Sequence, residues 1–317
     1  MNGQRSASDP GGTVFGGAIP GTGAGEPAFE LHLPADTPIP VLVAAPHAGR
    51  VYPPDLYEYM RDPGYSAPRL EDRHVDILAR EIAAATGAGL LVAHAPRAML
   101  DLNRACDDVD WSMVRGPAPG PVRHSLHNRR SRSGLGLVPR RLGGLGEIWK
   151  GPIARAELDA RIAQIHRPYH RALAGALDSL RDRWGAALLL DLHSMPPLRP
   201  RVPGDRPAEF VVGDRFGAAC DHALSAQALA YLARCDRRAA HNRPYAGGYI
   251  LDRHAAPRRG LHAIQLELCR TTYLDAAFAE PSARAPAIVR LLTGLVRELG
   301  DAVAALGRGT AQPLAAE

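Results

Sequence analysis

Short apolar runs alternate along the chain with longer segments of helical periodicity. The runs at 41–45 (VLVAA), 89–93 (GLLVA) and 186–190 (AALLL) are typical of buried strands. In the segments at 75–85 and 153–184, apolar residues recur at the three- and four-residue spacing of a helix. Strands that alternate with helices predict an α/β fold with a mainly parallel sheet and helices on both faces.

The same pattern predicts where the folded part of the chain begins and ends. Residues 1–27 are rich in Gly, Ser, Ala and Pro without apolar periodicity, so they predict a flexible extension. We predict a single α/β/α domain over residues 28–308 and a polar tail over residues 309–317. Within the domain, Gly, Pro and Arg recur over 115–146, which predicts a loop insertion.

Composition is ordinary for a globular enzyme, with 46% apolar and 22% charged residues among 317. The net charge of +5 comes from 38 basic and 33 acidic residues, and Lys150 is the only lysine, so this balance says little about partners. The four cysteines, Cys106, Cys220, Cys235 and Cys269, form no Cys-x-x-Cys pair, which favours reduced thiols. Since neither a signal pattern nor a long apolar run is present, we expect a cytoplasmic protein.

Polar side chains follow two of the predicted strands where each strand ends. Asp191 and His193 come directly after the run at 186–190, and His47 follows the run at 41–45. Because ligands of open α/β sheets bind beyond the carboxyl ends of the strands, both histidines are candidates for one metal site. The alternative is two hydrogen-bonded histidines at the starts of loops.

Three carboxylates are candidates to complete such a site. Glu71 and Asp72 are predicted to lie in the first turn of the helix whose apolar pattern covers 75–85, where they would either cap the helix or supply a metal ligand. Glu267 lies in the alternating segment 261–268, so it is either partly buried or lines a cleft. Two histidines and one carboxylate form an open zinc site whose water suits amide hydrolysis, and Glu267 is our candidate to carry that water's proton.

Two further groups of polar residues have less specific patterns. Asn103 and Arg104 could hold a substrate carboxylate, although a surface ion pair between Asp101 and Arg104 is the alternative. His166 and His170 lack the glutamate of a His-Glu-x-x-His motif, so they predict packing or surface positions. An arginine cluster in the predicted insertion could bind RNA or another anion, or cover an anionic substrate; it comprises Arg123, Arg129, Arg130, Arg132, Arg140 and Arg141.

Six short motifs occur in an order that resembles the N-formylglutamate amidohydrolase family. They are 46–49 (PHAG), 71–78 (EDRHVDIL), 101–104 (DLNR), 191–195 (DLHSM), 242–249 (NRPYAGGY) and 265–270 (QLELCR). Each motif alone is weak, whereas six in order over about residues 40 to 275 are specific.

The resemblance implies a zinc-dependent hydrolase with a three-layer α/β/α fold like that of the zinc carboxypeptidases, in the phosphorylase/hydrolase-like class. It implies cleavage of N-formyl-L-glutamate to formate and L-glutamate in histidine degradation. The implied Zn²⁺ ligands are His47, His193 and an acidic residue, for which we favour Asp72 over Glu71. The implied general base is Glu267.

The implied substrate-binding residues are Asn103 and Arg104, with Arg270 and Tyr245 as weaker candidates. The substrate is expected to be a small molecule, with no nucleic acid or membrane partner, and the oligomeric state is open. One alternative is a zinc carboxypeptidase-like deacylase with another substrate. A second is a non-catalytic protein that binds anions or nucleic acid through the arginine cluster.

Overall fold

A computed structural model gives the fold and describes residues 12–23, 25–116, 130–200 and 204–310. Its strands are β1 (Thr13–Gly16), β2 (Phe29–His32), β3 (Val41–Ala45), β4 (Gly89–Ala93), β5 (Val114–Arg115), β6 (Arg141–Leu142), β7 (Gly146–Glu147), β8 (Ile153–Ala154), β9 (Ala187–Met195), β10 (Phe210–Gly213), β11 (Ala239–His241) and β12 (Leu261–Cys269). Its α-helices are α1 (Pro54–Tyr59), α2 (Pro63–Leu70), α3 (Val75–Thr86), α4 (Arg155–Arg161), α5 (Arg167–Trp184), α6 (His222–Arg234), α7 (Tyr249–His254) and α8 (Ala285–Thr310).

The chain divides into two compact units, each made of three segments. The first unit comprises Met1–Leu31, Pro46–Asp72 and Val92–Ala172; the second comprises His32–Ala45, Arg73–Leu91 and Leu173–Glu317. The single domain expected over 28–308 therefore stays a prediction.

The second unit contains a run of five neighbouring strands in the order β3, β9, β12, β10, β11. Three of the four pairs are parallel, and only β10 runs antiparallel to β12. Helix α3 packs on β3 and β9, α8 packs on α3 and β9, and α6 packs on α8 and β10. The predicted α/β fold with a mainly parallel mixed sheet is therefore confirmed.

Strand β9 lies between β3 and β12 in this run and is longer than predicted. It continues past Leu190 through His193 to Met195, and all nine residues are buried. The prediction that Asp191 and His193 lie beyond the strand end was wrong. The backbone stays in the sheet because β12 pairs with the whole length of β9, up to the Cys269–Met195 pair.

In the first unit, α2 begins directly after Asp62, although an Asp-Pro-Gly sequence such as that at 62–64 is also typical of a turn. Asp62 accepts a hydrogen bond from the Tyr65 amide at 2.9 Å, and Pro63 occupies the first turn of α2, which are both signals of a helix start. Helix α2 ends at Leu70, so Glu71 and Asp72 follow one helix and precede the next. Their predicted place in the first turn of α3, and the capping role that it offered, were wrong.

The predicted flexible extension contains ordered structure in the part that the structure describes. Strand β1 spans Thr13–Gly16, the Ala18 amide donates to the Gln164 carbonyl at 3.0 Å, and Ile19 is 1% exposed. This part of the prediction was wrong because a few buried contacts hold the segment despite its weak apolar pattern. Residues 1–11 and 24 lie outside the described residues, as do 311–317 of the predicted tail.

The long helix predicted over 153–184 is present in two parts. One π-helical turn at Ile162–His166 separates α4 from α5, and Pro168 is the second residue of α5. Among the helices in the described ranges, none combines the length and the hydropathy that a membrane crossing needs.

Candidate active site

His47 lies in a buried group of polar side chains in the first unit. Its Nε2 is 2.7 Å from Asp101 Oδ1, and its Nδ1 is 3.5 Å from Asp72 Oδ2. The Asp72 amide also donates to the His47 carbonyl at 2.9 Å, so the two residues are joined through the backbone. Gly49 permits this course of the chain, because a Cβ there would lie 2.1 Å from the Ala95 carbonyl oxygen.

Asp101 is held as an anion behind His47. Burial alone would raise the pKa of this carboxyl, but the charges of Arg97, His47 and Arg104 outweigh burial and hold the pKa well below its usual range. Arg97 Nε donates to Asp101 Oδ2 at 2.9 Å, and the backbone N–H of Asn103 donates to Asp101 Oδ1 at 2.8 Å. The ion pair between Asp101 and Arg104 that was the alternative for these residues is present, with Arg104 Nε 3.9 Å from Asp101 Oδ2, but Asp101 is 1% exposed, so the predicted surface position was wrong.

The second unit holds a comparable pair on β9. His193 Nε2 is 2.9 Å from Asp191 Oδ2, and both side chains are buried. The two residues are two apart on one strand, so they share a face of the sheet. Because Asp191 contacts Nε2 of His193, Nδ1 lies on the side of the ring that is turned away from Asp191.

Glu267 lies beside His193 on the next strand. Strand β12 pairs in parallel with β9 so that Gln265 is level with Asp191, and Glu267 with His193. Gln265 Nε2 donates to Glu267 Oε1 at 2.9 Å, and Glu267 is 8% exposed. Glu267 is thus a buried, oriented carboxylate on the face of the sheet that carries His193.

Three of the predicted residues form a group that can hold a metal ion. One ligand atom from each of His47, Asp72 and His193 lies within 4.8 Å of the others, and all three residues are buried. Histidines that bind metals usually donate their second ring N–H to a carboxylate, and here Asp101 and Asp191 are in that position. The donor set therefore fits a divalent cation that accepts nitrogen and oxygen ligands.

The order and spacing of these residues agree with a known family. The family model of N-formylglutamate amidohydrolase matches residues 39–274, a span that contains all six motifs. The chain belongs to the N-formylglutamate amidohydrolase family. As a member of this family it is a hydrolase that acts on an amide bond.

Individual relatives of this amidohydrolase family agree over most of the chain. N-formylglutamate deformylase from Pseudomonas aeruginosa is 31% identical over 281 residues, which is 85% of this chain and 94% of the relative. The Pseudomonas putida deformylase is 30% identical over 75% of this chain and 82% of its own length. The crystal structure of N-formylglutamate amidohydrolase from Ralstonia eutropha superimposes with a TM-score of 0.78 at 30% identity, covering 87% of this chain and 98% of that one.

The two acidic candidates for the third ligand have different surroundings. Glu71 Oε1 accepts a hydrogen bond from the Tyr52 hydroxyl at 2.9 Å, whereas Asp72 belongs to the group with His47 and His193. This difference favours Asp72.

The predicted substrate-binding residues are distributed over both units. In the first unit, Asn103 is buried, and the Arg104 guanidinium donates to the carbonyls of Leu135 at 2.9 Å and Asn103 at 2.6 Å. In the second unit, Arg270 Nε donates to Ser194 Oγ at 3.3 Å.

Tyr245, the remaining candidate of the second unit, packs against a small core cluster of Met195, Val211 and Cys269. The roles of Tyr245, Arg270, Asn103 and Arg104 stay predictions.

His166 and His170 support the segment that carries Asn103 and Arg104. His166 Nε2 donates to the Arg104 carbonyl at 2.9 Å, and His170 Nε2 donates to the Leu102 carbonyl at 3.0 Å. Both histidines are buried, which agrees with the packing role predicted for them.

For three polar residues, the sequence did not predict the contact that each makes at the site. They are Asp101 and Asp191, which contact the two histidines, and Gln265, which donates to Glu267. The spacing Asp-x-His on one strand and Gln-x-Glu on the next was a usable signal, since residues two apart on a strand share a face.

A polar network fixes the loop that carries Tyr245. Asp214 accepts hydrogen bonds from Ser225 Oγ at 2.6 Å, Asn242 Nδ2 at 2.7 Å, His241 Nε2 at 2.9 Å and the Gly217 amide at 2.9 Å. Burial alone would raise the pKa of Asp214, but these donors lower it from 3.8 to about 2. The network therefore stabilises the folded chain only while Asp214 is ionised.

We predict that Asp214→Asn removes an acid-sensitive part of the stability. Because the folded-state pKa is depressed, the contribution is complete above about pH 4 and is lost as the pH falls toward 2; it amounts to about 2 kcal/mol. The unfolding free energies of wild type and Asp214→Asn, measured with urea, should therefore differ by about 2 kcal/mol more at pH 6 than at pH 2.

The control for this prediction is Asp36→Asn, which removes an exposed carboxylate and should leave the unfolding free energy nearly unchanged at both pH values. An equal difference between wild type and Asp214→Asn at the two pH values would show that Asp214 is not the acid-sensitive group.

Proposed function

We propose that the protein is a zinc-dependent amidohydrolase that cleaves the formyl amide of N-formyl-L-glutamate to formate and L-glutamate. The observation that carries the proposal is the buried group of His47, Asp72 and His193, with a carboxylate beside each histidine. The names of the relatives, N-formylglutamate deformylase and amidohydrolase, support the substrate.

The proposed metal ligands are His47, Asp72 and His193. Asp101 and Asp191 each hold one ring nitrogen of a histidine, which leaves the Nδ1 side of each ring to face the ion. When bound, zinc would polarise the formyl oxygen and lower the pKa of a water molecule to about 7. Zinc rather than another divalent cation is proposed from this mixed nitrogen and oxygen donor set.

Glu267 is the proposed general base and acid. Its carboxylate takes a proton from the attacking water, whose oxygen bonds to the formyl carbon, and returns a proton to the amide nitrogen as the C–N bond breaks. Gln265 positions the carboxylate through its hydrogen bond to Oε1. The products are then formate and the free amino group of glutamate.

Recognition of the glutamate carboxylates is proposed for Asn103 and Arg104, with contributions from Arg270 and Tyr245. A guanidinium group matches a carboxylate with two parallel hydrogen bonds, which suits an acidic amino acid. Arg104 Nε and Nη1 already donate to backbone carbonyls, so these bonds hold its guanidinium in one orientation for the substrate.

A zinc carboxypeptidase-like deacylase with another substrate is the nearest alternative. A non-catalytic anion-binding protein is less favoured. Arg140 contacts Asp110 and Glu147, and Arg141 contacts Glu147, so two arginines of the predicted cluster already have carboxylate partners. Arg123 and Arg129 lie outside the described residues.

A role in histidine degradation and a cytoplasmic location stay predictions. All four cysteines are free of disulfides, which is consistent with a reducing compartment.

The proposal predicts chelator-sensitive formate release. Purified protein should contain about one zinc per chain and release formate from N-formyl-L-glutamate, as measured with a coupled formate assay and elemental analysis. Chelation should abolish formate release, and added zinc should restore it. Zinc without formate release from this substrate, but with turnover of N-acetyl or other N-acyl amino acids, would favour the deacylase instead.

We predict that Glu267→Gln lowers kcat by a factor of about 10² to 10⁴ while zinc content stays unchanged, because the amide keeps the size of the side chain but cannot accept the proton. Steady-state kinetics with N-formyl-L-glutamate and elemental analysis measure the two quantities. Glu81→Gln, at an exposed position of α3, is the control and should keep full activity. A Glu267→Gln enzyme with undiminished kcat would exclude Glu267 as the base.

A further inference from the structure

We propose that a basic groove in the second unit is an outer subsite for the carboxylates of an acidic peptide that continues from the substrate. The inference rests on the proposed function for the reaction, but binding in the groove can be tested without it. The groove has a volume of about 580 Å³, and its charged lining residues are Arg199, Arg206, Arg243 and Asp205. Three positive charges therefore face one negative charge.

The three arginines are available to a ligand. Arg199, Arg206 and Arg243 are exposed, and none of them forms an ion pair or hydrogen bond with another residue in the described ranges. The nearby Arg237 and Arg238 instead contact Glu209, at 3.4 and 3.6 Å. The groove thus concentrates guanidinium groups whose charge is not neutralised, and guanidinium groups match carboxylates with paired hydrogen bonds.

The register of the sheet places the groove close to Glu267. Glu267 is level with Val211 on β10, and Val211 is level with Ala240 on β11, which lines the groove. Adjacent strands lie about 4.8 Å apart, so the groove wall begins about 10 Å from Glu267. An extended peptide covers that distance with about three residues.

Tyr245 and its neighbours lie between the neighbourhood of Glu267 and the groove. Tyr245, Leu198 and Ala240 pack together on the core cluster that contains Val211, and Leu198 and Ala240 also line the groove. Pro244, which precedes Tyr245, is a further lining residue. A substrate that passes Tyr245 would therefore enter the groove, where its next carboxylates meet the arginines.

The charge of the groove favours an acidic peptide as its ligand. Arg199 and Arg206 lie close together in the sequence and Arg243 lies further along it, so the lining comes from separate parts of the chain. The proposed substrate is itself an acidic amino acid, and a peptide that continues it would offer a further carboxylate to each guanidinium group. The class of ligand is therefore an N-formylated peptide of acidic residues, such as N-formyl-Glu-Glu-Glu.

The test is the triple variant Arg199→Gln, Arg206→Gln, Arg243→Gln. Wild type should bind tri-L-glutamate in calorimetry at low salt, and the variant should bind it about tenfold more weakly, with the difference reduced at high salt. The kcat/KM for N-formyl-Glu-Glu-Glu should fall about tenfold in the variant, while that for N-formyl-L-glutamate stays within twofold.

The matched control is the triple variant Arg258→Gln, Arg259→Gln, Arg290→Gln, which removes the same charge from exposed positions outside the groove lining. It should bind tri-L-glutamate as wild type does. Circular dichroism checks that both variants are folded.

Three results would contradict the proposed subsite. The first is equal tri-L-glutamate binding by the groove variant and wild type, and the second is an equal loss of tri-L-glutamate affinity in the control variant. The third is binding of the peptide without turnover of N-formyl-Glu-Glu-Glu by an enzyme that does hydrolyse N-formyl-L-glutamate. If wild type hydrolyses neither compound, the proposed function fails, and the binding comparison alone still decides whether the groove takes acidic chains.

Discussion

The site depends on two buried hydrogen bonds between a carboxylate and a histidine. A buried carboxylate is unfavourable unless positive charge and donors surround it, and Arg97 and the Asn103 amide provide both for Asp101. The Asp101 carboxylate contacts Nε2 of His47 and so fixes the orientation of the ring. As a result, Nδ1 is the nitrogen that faces Asp72. Asp191 has the same relation to His193. The orientation of both rings follows from these contacts, and this orientation supports the proposal that the two histidines bind a metal ion.

The sheet extends this arrangement to Glu267, the proposed general base. Strands β9 and β12 pair in parallel over nine positions, so alternate side chains form matching rows on one face. Asp191 and His193 form one row, and Gln265 and Glu267 form the next. A slip of one residue in either strand would turn its polar row to the opposite face, so the apolar residues between them fix the chemistry as well as the fold.

The sequence predicted the strands and the family better than it predicted where the elements end. Apolar runs located β3, β4 and β9, and the order of six motifs indicated the family. The predicted end of β9 was wrong because polar residues after a fully apolar run usually indicate that a buried strand has ended. Here Asp191 and His193 continue the buried strand, since they form a hydrogen bond with each other inside the sheet.

The tertiary contacts of the site residues could not be predicted from the sequence. The contact of Asp101 with His47 joins residues 54 positions apart, and neither periodicity nor composition carries that information. The same holds for Glu71 and Asp72, adjacent acids with different tertiary contacts: Glu71 accepts a hydrogen bond from Tyr52, and Asp72 lies beside His47. Asp62 as a helix cap was readable in principle, because an Asp-Pro pair is a common helix start.

The most direct test of this account is the zinc affinity of Asp101→Asn and Asp191→Asn, measured by competition with a chromophoric chelator. Both substitutions leave the three proposed ligands in place and remove only the carboxylate charge beside a histidine. We predict that each variant binds zinc about 10- to 100-fold more weakly than wild type, whereas the exposed Asp159→Asn binds zinc as wild type does. Wild-type affinity in both variants would contradict it, because the histidines would then not depend on the carboxylates beside them.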